Sequence, residues 1–362
     1  MTDKLTEARK TINEIDAKMA ELFVERMKAA ELVAEHKKEH GLEILDAVRE
    51  AEVIRRNSAL VADETYREYY VNFLKSTMSV SRAYQTRLLE GMKVAYSGTE
   101  GAYAHIAATK LFPSAMKIGY GSFDEAYAAV ESGECDVAVL PIENTYNGDV
   151  GQVTDLMFSG SLYVNNVTEL AISHDLLAPK GTKLEDVKTV ISHPQALGQC
   201  HAYIVKHGFE EIEFSNTALA AKHVAALNDG KSAAIASAEA ADIFGLEVLE
   251  NNVNASRSNT TRFAVFSRSK KNHSASDERV RSIIFFTVKN KAGALSKAIE
   301  IIGKYGFNMG ALRSRPMKEL MWEYYFYVEA EGNLDSENGK KMMEELASHC
   351  DRLKSVGAYV IK

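Results

Sequence analysis

The sequence predicts a multidomain protein with an all-α segment at residues 1–91, a two-lobed α/β segment at 92–269 and a small α+β segment at 280–362. Three observations support this division. The chain has 362 residues, which is long for one hydrophobic core. Its hydrophobic pattern changes from a helical period to alternating strands and helices near residue 91. A polar stretch, SRSKKNHSASDERVRS (267–282), precedes the last segment and is typical of a linker.

Composition and charge narrow the class of protein. The net charge of -7 and the lack of a long basic run argue against nucleic acid or an anionic membrane as a partner, and a site for an anionic substrate would have to gather its cations locally. The polar start, MTDKLTEARK, lacks the apolar region of a signal peptide, and no apolar run is long enough to span a membrane. Cys135, Cys200 and Cys350 are widely spaced, which is typical of reduced thiols. We therefore expect a cytoplasmic protein without a metal or cofactor.

The first segment has a helical hydrophobic period and no proline. Apolar residues from Leu5 to Val33, with Leu22 among them, predict a first helix that reaches about Lys38. Gly41 interrupts the pattern, and further helices are expected at about 46–60 and 64–89. A helix of this length is not stable alone, so the segment suggests a bundle or a dimer.

Charged residues lie on the apolar face of the first helix. Arg26 falls within the apolar stripe, and Lys37, eleven residues later, returns to within about 20° of the same direction. Further polar positions share helix faces, namely Asp46, Arg49 and Glu50 on the second helix and Ser81 and Gln85 on the third. Each group alone is more often a solvated salt bridge or a contact between helices. Together they favour a polar internal site for an anion, because buried cations need anions to neutralise them.

This segment resembles the all-helical chorismate mutases, whose dimeric bundles enclose their active sites, over residues 5–89. The matching positions are Arg9, Arg26, Lys37, Asp46, Arg49, Glu50, Ser81 and Gln85. The resemblance implies that arginines bind the two carboxylates of chorismate, that Lys37 and Gln85 donate to its ether oxygen, and that Glu50 and Asp46 hold its hydroxyl side. It also implies that Arg9 enters the pocket of a partner subunit, and hence a homodimer.

The second segment alternates short β-rich runs with helical stretches, which predicts βαβ units and a largely parallel sheet. Polar clusters follow several strands, at 143–145, 192–195 and 259–262, and they either line a cleft or are simple turns and caps. The GTEG run at 98–101 is too short for a dinucleotide fingerprint. His174 and His193 have no evident nucleophile as a partner, which argues against a hydrolase triad.

Six motifs of the second segment resemble those of the prephenate dehydratases in order and spacing: GTEGAYAHIAA, AVLPIENTYNG, ISHDLL, ISHPQALGQC, SNTALAA and NTTRFAVF. That family removes water and carbon dioxide from prephenate to give phenylpyruvate. The resemblance implies that Thr261 polarises the departing ring hydroxyl and that Arg262 binds a carboxylate or braces the loop. It also implies that Glu143, Asn144 and Thr145 line the cleft.

The last segment shows the βαββαβ order of a ferredoxin-like fold, and it resembles ACT domains, which bind amino acids at subunit interfaces. The effector motifs of phenylalanine-regulated dehydratases correspond to Gly293, Ala294 and Leu295 and to Ser314, Arg315 and Pro316. Arg313 stands where that family usually has glutamate. The resemblance implies L-phenylalanine as an effector; the alternative is a module that serves only for dimerisation.

Together the three segments predict an enzyme that converts chorismate to prephenate and prephenate to phenylpyruvate. Two alternatives stay open from the sequence. One is a dehydratase that prefers arogenate, the amino-acid analogue of prephenate. The other is a non-catalytic phenylalanine-binding regulator built on decayed domains.

Overall fold

The structure, a computed structural model, describes residues 3–255, 259–274, 279–317 and 323–360. Its contacts divide the chain into two compact units, residues 1–92 and 93–362. Within the described ranges, no helix combines the length and the apolar character needed to cross a bilayer.

The described part of the first unit consists of helices α1 (Lys4–His40), α2 (Ala47–Ser58) and α3 (Glu64–Glu90). The three predicted helices are thus confirmed. Gly41 ends α1 in the left-handed region, at φ 64°, which glycine adopts without strain. The side chain of Asp46 caps α2 and that of Asp63 caps α3.

α3 covers only the C-terminal part of α1. Ala30 and Ala34 are buried on α1, opposite buried residues of α3. By contrast, every described residue up to Arg26 is exposed. Leu22, an expected core position, is 63% exposed, so the core that the sequence predicted around it is wrong for a single chain. The reason is that α3, with 27 residues, is too short to cover the 37-residue α1 along its whole length.

The second unit contains two α/β lobes, which the chain enters in turn. The first lobe contains β1 (Lys93–Ser97), α4 (Tyr103–Leu111), β2 (Met116–Tyr120), α5 (Phe123–Glu131), β3 (Val137–Asn144), β4 (Gly148–Asp149), α6 (Gly151–Ser159) and β5 (Tyr163–Ala171). The second lobe contains β6 (Asp175–Pro179), a 3-10 turn (Leu184–Asp186), β7 (Thr189–Ser192), α7 (Pro194–His207), β8 (Glu210–Glu213), α8 (Thr217–Leu227), β9 (Ser232–Ala236), α9 (Ala238–Phe244) and β10 (Leu246–Glu250). The chain then returns to the first lobe as β11 (Thr260–Ser267).

The remaining elements complete a C-terminal module, residues 280–360. They are β12 (Val280–Thr287), α10 (Ala294–Lys304), β13 (Asn308–Pro316), β14 (Tyr324–Glu331), α11 (Glu337–Ala347) and β15 (Arg352–Val360). The predicted βαββαβ order is therefore confirmed.

Both sheets are mixed, so the prediction of a largely parallel sheet is wrong. The larger sheet has the order β13-β14-β12-β15-β5-β11-β3-β1-β2, with β4 paired to β3, and the smaller has the order β10-β6-β9-β7-β8. β1 runs parallel to β2 and β3, as βαβ units require. However, β11 enters between β3 and β5 after the excursion through the second lobe, and it is antiparallel to both.

The C-terminal module is continuous with the first lobe. β15 pairs with β5, and one face of the module's sheet, including Ile283, Phe285 and Tyr327, shares a core with the first lobe's Leu140 and Met157. The opposite face packs against the module's own helices. The polar stretch before β12 also packs, since Lys270 forms a 2.7 Å ion pair with the module's Asp335. The boundary expected near residues 269–280 therefore lies inside one compact unit.

Candidate active sites

The first candidate site is the buried polar face between α1 and α3. Ser81 and Gln85 are only 5% and 8% exposed, at i, i+4 spacing on α3. The guanidinium of Arg26 on α1 donates to the Ser81 hydroxyl and lies 3.5 Å from the Thr77 carbonyl. Gln85 Oε1 is buried and has no hydrogen-bond partner among the described residues. A buried acceptor without a partner is costly, so this face is suited to a polar ligand.

Two further predicted residues lie in this half of the unit. Lys37 is partly buried, and its ammonium donates to the Ile44 carbonyl. Glu50 on α2 forms an ion pair with Arg82 on α3. Arg82 was not predicted from the sequence, although its position on α3, four residues after Met78 and three before Gln85, indicated that it shares their helix face.

The structure does not bring the other three predicted residues to that face. Asp46 accepts from the Arg49 backbone N–H at 2.9 Å and so serves as the N-cap of α2. The Arg49 guanidinium forms an exposed 2.7 Å ion pair with Glu52. Arg9 lies on the exposed first half of α1. Within one chain, the three residues therefore have local or solvent-exposed surroundings.

The second candidate site is a cavity of about 560 Å³ between the two lobes of the second unit. Strand ends and helix starts line it, including Ser97, Tyr103, Asn144, Gly148, Asp149, His174, His193, Gln199, Asn216, Asn259 and Thr261. Of the five residues predicted for this site, Asn144 and Thr261 line the cavity. It also contains both histidines that the sequence singled out.

Asn144 fixes the direction of hydrogen bonding at Thr261. The Asn144 Oδ1 atom accepts the backbone N–H groups of Tyr146 and Asn147, each at 2.9 Å. Its Nδ2 atom must therefore donate, and it lies 2.9 Å from Thr261 Oγ1 and 2.8 Å from Asn259 Oδ1. The Thr261 oxygen accepts this bond, and no described residue accepts from its hydroxyl, so the Thr261 proton can be donated to a ligand.

The same polarity continues across the cleft. Asn259 Nδ2 donates to Gln199 Oε1 at 2.9 Å, so Gln199 accepts, and His174 Nε2 lies 2.9 Å from the same oxygen. Burial lowers the pKa of His174 by more than its bond to Gln199 raises it, which favours the neutral imidazole with its proton on Nε2. Burial also raises the pKa of Tyr103, whose hydroxyl lies 3.2 Å from His174 Nδ1. Asn259 belongs to the polar cluster at 259–262, which therefore reaches the cleft, whereas Gln199 was not predicted as a site residue although it lies in the ISHPQALGQC motif.

Glu143, Thr145 and Arg262 do not line the cavity. Thr145 Oγ1 accepts the Thr260 backbone N–H at 3.0 Å, which ties the β3 end to β11. Arg262 forms 3.0 Å ion pairs with Glu143 and with the module's Glu329, which is 2% exposed. Of the two roles expected for Arg262, its contacts therefore correspond to bracing.

Contrary to the expectation from the sequence, the described residues that line the cleft form no cluster of cations. None of its described lining residues is lysine or arginine. Instead, five of the described helices begin at the cavity, and their first residues or N-caps line it: Ala102 and Tyr103 of α4, Phe123 of α5, Val150 of α6, His193 of α7 and Asn216 of α8. Neither α4 nor α6 has a side-chain cap. Helix N-termini attract anions through their free N–H groups and the helix dipole.

Comparison with known proteins matches both units. Residues 94–271 match the family model for prephenate dehydratase, and residues 8–86 match the model for chorismate mutase type II. The bifunctional chorismate mutase/prephenate dehydratase of Enterobacter agglomerans is 32% identical, over 97% of this chain and 94% of that protein. This chain belongs to the bifunctional chorismate mutase/prephenate dehydratase family. The resemblance expected from the sequence is thus confirmed, and the chain carries one domain of each kind.

Solved structures support the fold of the dehydratase part. A protein described as GqqA, a novel type of quorum quenching acylase, superposes with a TM-score of 0.70 and 28% identity, over 75% of this chain and 98% of that one. Prephenate dehydratase from Arthrobacter aurescens, in complex with L-Phe, has a TM-score of 0.68 and 23% identity, over 75% of this chain and 90% of that one. At that identity, the second comparison speaks for the fold alone.

The two predicted effector motifs of this bifunctional chain do not meet within one chain. Gly293 is the left-handed N-cap of α10, and Leu295 lines a cavity of about 220 Å³ with Lys289, Lys291 and Tyr324. Ala294 is the first residue of α10. Pro316 lines a separate cavity of about 340 Å³. Ser314 is exposed, whereas the Arg315 side chain turns inward to Asp155.

No metal site is evident in the ranges that the structure describes. They contain no group of three or more His, Cys, Asp or Glu side chains that could hold a metal ion.

Proposed function

We propose that the helical unit rearranges chorismate to prephenate and that the cleft of the second unit converts prephenate to phenylpyruvate. The observation that supports the second assignment is the Thr261 hydroxyl at the cavity: its oxygen accepts from Asn144, and its proton has no acceptor among the described residues. The chain would then perform two consecutive steps of phenylalanine biosynthesis.

In the mutase site, the rearrangement needs a held conformation and stabilised charge but no covalent help. Arg26, beside Ser81, is suited to a carboxylate of chorismate. Lys37 and Gln85 would donate to the ether oxygen, Gln85 through its amide Nε2, and the burial of Gln85 on this face supports its place in the site. Arg49 would bind the second carboxylate, while Glu50 and Asp46 would hold the hydroxyl side after leaving their present partners.

We further propose that the mutase works as a homodimer. The apolar side chains that α1 exposes, among them Ile12, Ile15, Met19 and Leu22, would be covered by a second copy of the chain. Arg9 on the same half of α1 would then enter the partner's pocket. A dimer would also explain how the first half of the 37-residue α1, which its own chain leaves exposed, is stable as a helix.

In the dehydratase site, loss of carbon dioxide and departure of the ring hydroxyl are coupled. The electrons of the breaking bond between the ring and its carboxylate form the new aromatic double bond as the hydroxyl leaves and, with one proton, becomes water. Thr261 would donate a hydrogen bond to the departing oxygen and stabilise its developing charge. The N-termini of α4, α6, α7 and α8 would hold the two carboxylates, which accounts for a dianion site without lysine or arginine among its described lining residues.

We propose that the C-terminal module is an ACT domain that binds L-phenylalanine and lowers dehydratase activity. The relative with bound L-Phe supports this effector. The Gly293–Leu295 start of α10 would receive the carboxylate, and Ser314 and Pro316 of a second copy, on the exposed face of β13, would form the facing wall, since Arg315 turns inward to Asp155. An effector can act this way only if it prefers one of two arrangements of the oligomer.

Product analysis tests the function directly. The purified chain is incubated with chorismate, prephenate or arogenate, with and without L-phenylalanine. We expect chorismate to yield prephenate and then phenylpyruvate, and L-phenylalanine to slow only the second step. Faster turnover of arogenate than of prephenate would favour the arogenate alternative. No turnover of any of the three would refute both catalytic assignments and favour the non-catalytic regulator.

A further inference from the structure

The inner face of the edge strand β13 carries two arginines. Residues of β13 alternate between exposed and partly buried, and Met309, Ala311, Arg313 and Arg315 form the partly buried set. The side chains of Arg313 and Arg315 are 23% and 28% exposed. Because alternate residues of a strand share a face, both arginines point toward the first lobe.

Each arginine contacts one stem, meaning one of the two strands, of the hairpin at residues 143–149. Arg313 contacts Glu143 in β3, and Arg315 contacts Asp149 in β4. The Arg313 guanidinium bonds to Glu143 Oε1, while Arg262 bonds to the other oxygen, Oε2, at 3.0 Å. The two arginines therefore do not replace each other, since each holds a different oxygen of the same carboxylate.

Arg315 holds the opposite stem. Its Nε and Nη2 atoms lie 2.9 and 3.2 Å from the two Asp155 oxygens, and its Nη1 atom lies 3.6 Å from Asp149. Gly151, the first residue of α6, makes room for this contact, because a Cβ atom there would collide with the Arg315 guanidinium.

The hairpin between these two anchors forms one wall of the dehydratase cleft. Asn144, Asn147, Gly148 and Asp149 all line the cavity. Glu143 directly precedes Asn144, whose amide nitrogen holds Thr261 Oγ1 at 2.9 Å. A shift of either stem would therefore change the position of the donor that orients the Thr261 proton.

We propose that Arg313 and Arg315 are positioning residues of the dehydratase, which hold the 143–149 hairpin from β13 so that Asn144 keeps Thr261 oriented. The proposal rests on the proposed function of the cleft. It gives Arg313 a role within its own chain that the sequence did not predict, because the sequence assigned this position to the effector site. It also makes β13 a direct mechanical connection between the C-terminal module and the reacting groups.

The first test replaces Arg313 in the full-length chain by lysine, methionine or glutamate. We expect the dehydratase kcat on prephenate to fall in that order, by about tenfold or more for Arg313→Met and further for Arg313→Glu, which sets two carboxylates against each other. The KM for prephenate should change less than kcat, because neither arginine lines the cavity.

Lys304→Met is the matched control. It removes a 2.7 Å ion pair of the same module, with Glu345, far from the hairpin in sequence and outside the cavity lining. We expect this control to keep dehydratase activity, and all variants to keep wild-type turnover of chorismate. An Arg313→Met variant with wild-type dehydratase kcat would overturn the proposal, as would an equal loss in the Lys304→Met control.

A double-mutant cycle separates positioning from a merely structural role. If Arg313 acts through Asn144, Arg313→Met should cause almost no further loss of dehydratase kcat in the Asn144→Ala background. If the two losses multiply, Arg313 does not act through Asn144 and the proposal is wrong.

Gly151→Ala tests the second anchor without changing a charge. It should lower the dehydratase kcat in the wild type and have little effect when Arg315→Met is already present; an equal effect in both backgrounds would overturn the role of Arg315.

Wild-type turnover of prephenate, measured in the same series, tests the proposed function separately. If the wild type does not turn over prephenate, the function is wrong, whereas wild-type turnover with unaffected variants refutes only the positioning role.

Discussion

Replacing Asn144 by aspartate changes one NH2 group to an oxygen and leaves the shape of the side chain almost unchanged. One oxygen of the new carboxylate can still accept the N–H groups of Tyr146 and Asn147. The other would face two acceptors, Thr261 Oγ1 at 2.9 Å and Asn259 Oδ1 at 2.8 Å. The Thr261 proton would then turn toward the carboxylate and away from the ligand.

The expected magnitude follows from the loss of one oriented donor. Removing a single preorganised donor to a developing negative charge costs about 10²–10³ in kcat, or roughly 2.7–4 kcal/mol. We therefore expect Asn144→Asp to lower the dehydratase kcat by about a hundredfold or more, close to the effect of Thr261→Ala. Thr261→Ser keeps the hydroxyl and should retain a substantial part of the activity.

The assay follows phenylpyruvate formed from prephenate, with chorismate turnover by the same samples as the control for folding. Lowering the pH should restore part of the Asn144→Asp activity, because a protonated carboxyl group again has a donor. Full activity of Asn144→Asp at neutral pH would refute the deduced bond polarity. Equal activities of Thr261→Ala and Thr261→Ser would show that the hydroxyl is irrelevant.

Three further predictions concern the mutase and the stability of the second unit. Lys37→Ala should lower mutase turnover about a hundredfold, with prephenate turnover almost unchanged; loss of both would indicate unfolding. Mixed Arg9→Ala and Lys37→Ala subunits should regain mutase activity, measured after subunit exchange, if Arg9 acts in the partner's pocket. Glu329→Gln should lower the free energy of unfolding by about 3 kcal/mol at neutral pH, measured by urea denaturation, because it leaves Arg262 and Arg281 short of their buried counter-ion. Burial alone would raise the pKa of Glu329, but Arg262 lowers it below its ordinary value. The difference in unfolding free energy between Glu329→Gln and the wild type should therefore shrink as the pH falls through that lowered pKa. A difference that does not depend on pH would contradict this.

The sequence predicted the local structure of this chain well because the local signals agree with one another. Helical periodicity and Gly41 were sufficient for the three helices, and the spacing of Ser81 and Gln85 correctly indicated a shared, buried face. The mixed sheet was missed because the position of β11 depends on where the chain returns after about ninety residues in another lobe. Hydrophobic alternation contains no information about that return.

The candidate sites were predicted in part for the same reason. Thr261 and Asn144 lie in recognisable motifs and do face the cavity. The contacts of Asp46 with α2 and of Arg313 with Glu143 were not predictable. An aspartate such as Asp46 can cap a helix or bind a ligand, and the sequence does not distinguish the two roles. The contact between Arg313 and Glu143 joins residues 170 positions apart, which no local pattern indicates.

The shared core of the C-terminal module has a consequence for engineering an enzyme that escapes feedback control. Cutting the chain after β11 would strip Ile283, Phe285 and Tyr327 from the first lobe's Leu140 and Met157 and expose a face that the remainder cannot cover. The truncated protein should aggregate instead of working unregulated. Enzymes without feedback control should therefore arise from single substitutions on the exposed side of the module, such as at Ser314. Such substitutions leave the core between the module and the first lobe intact.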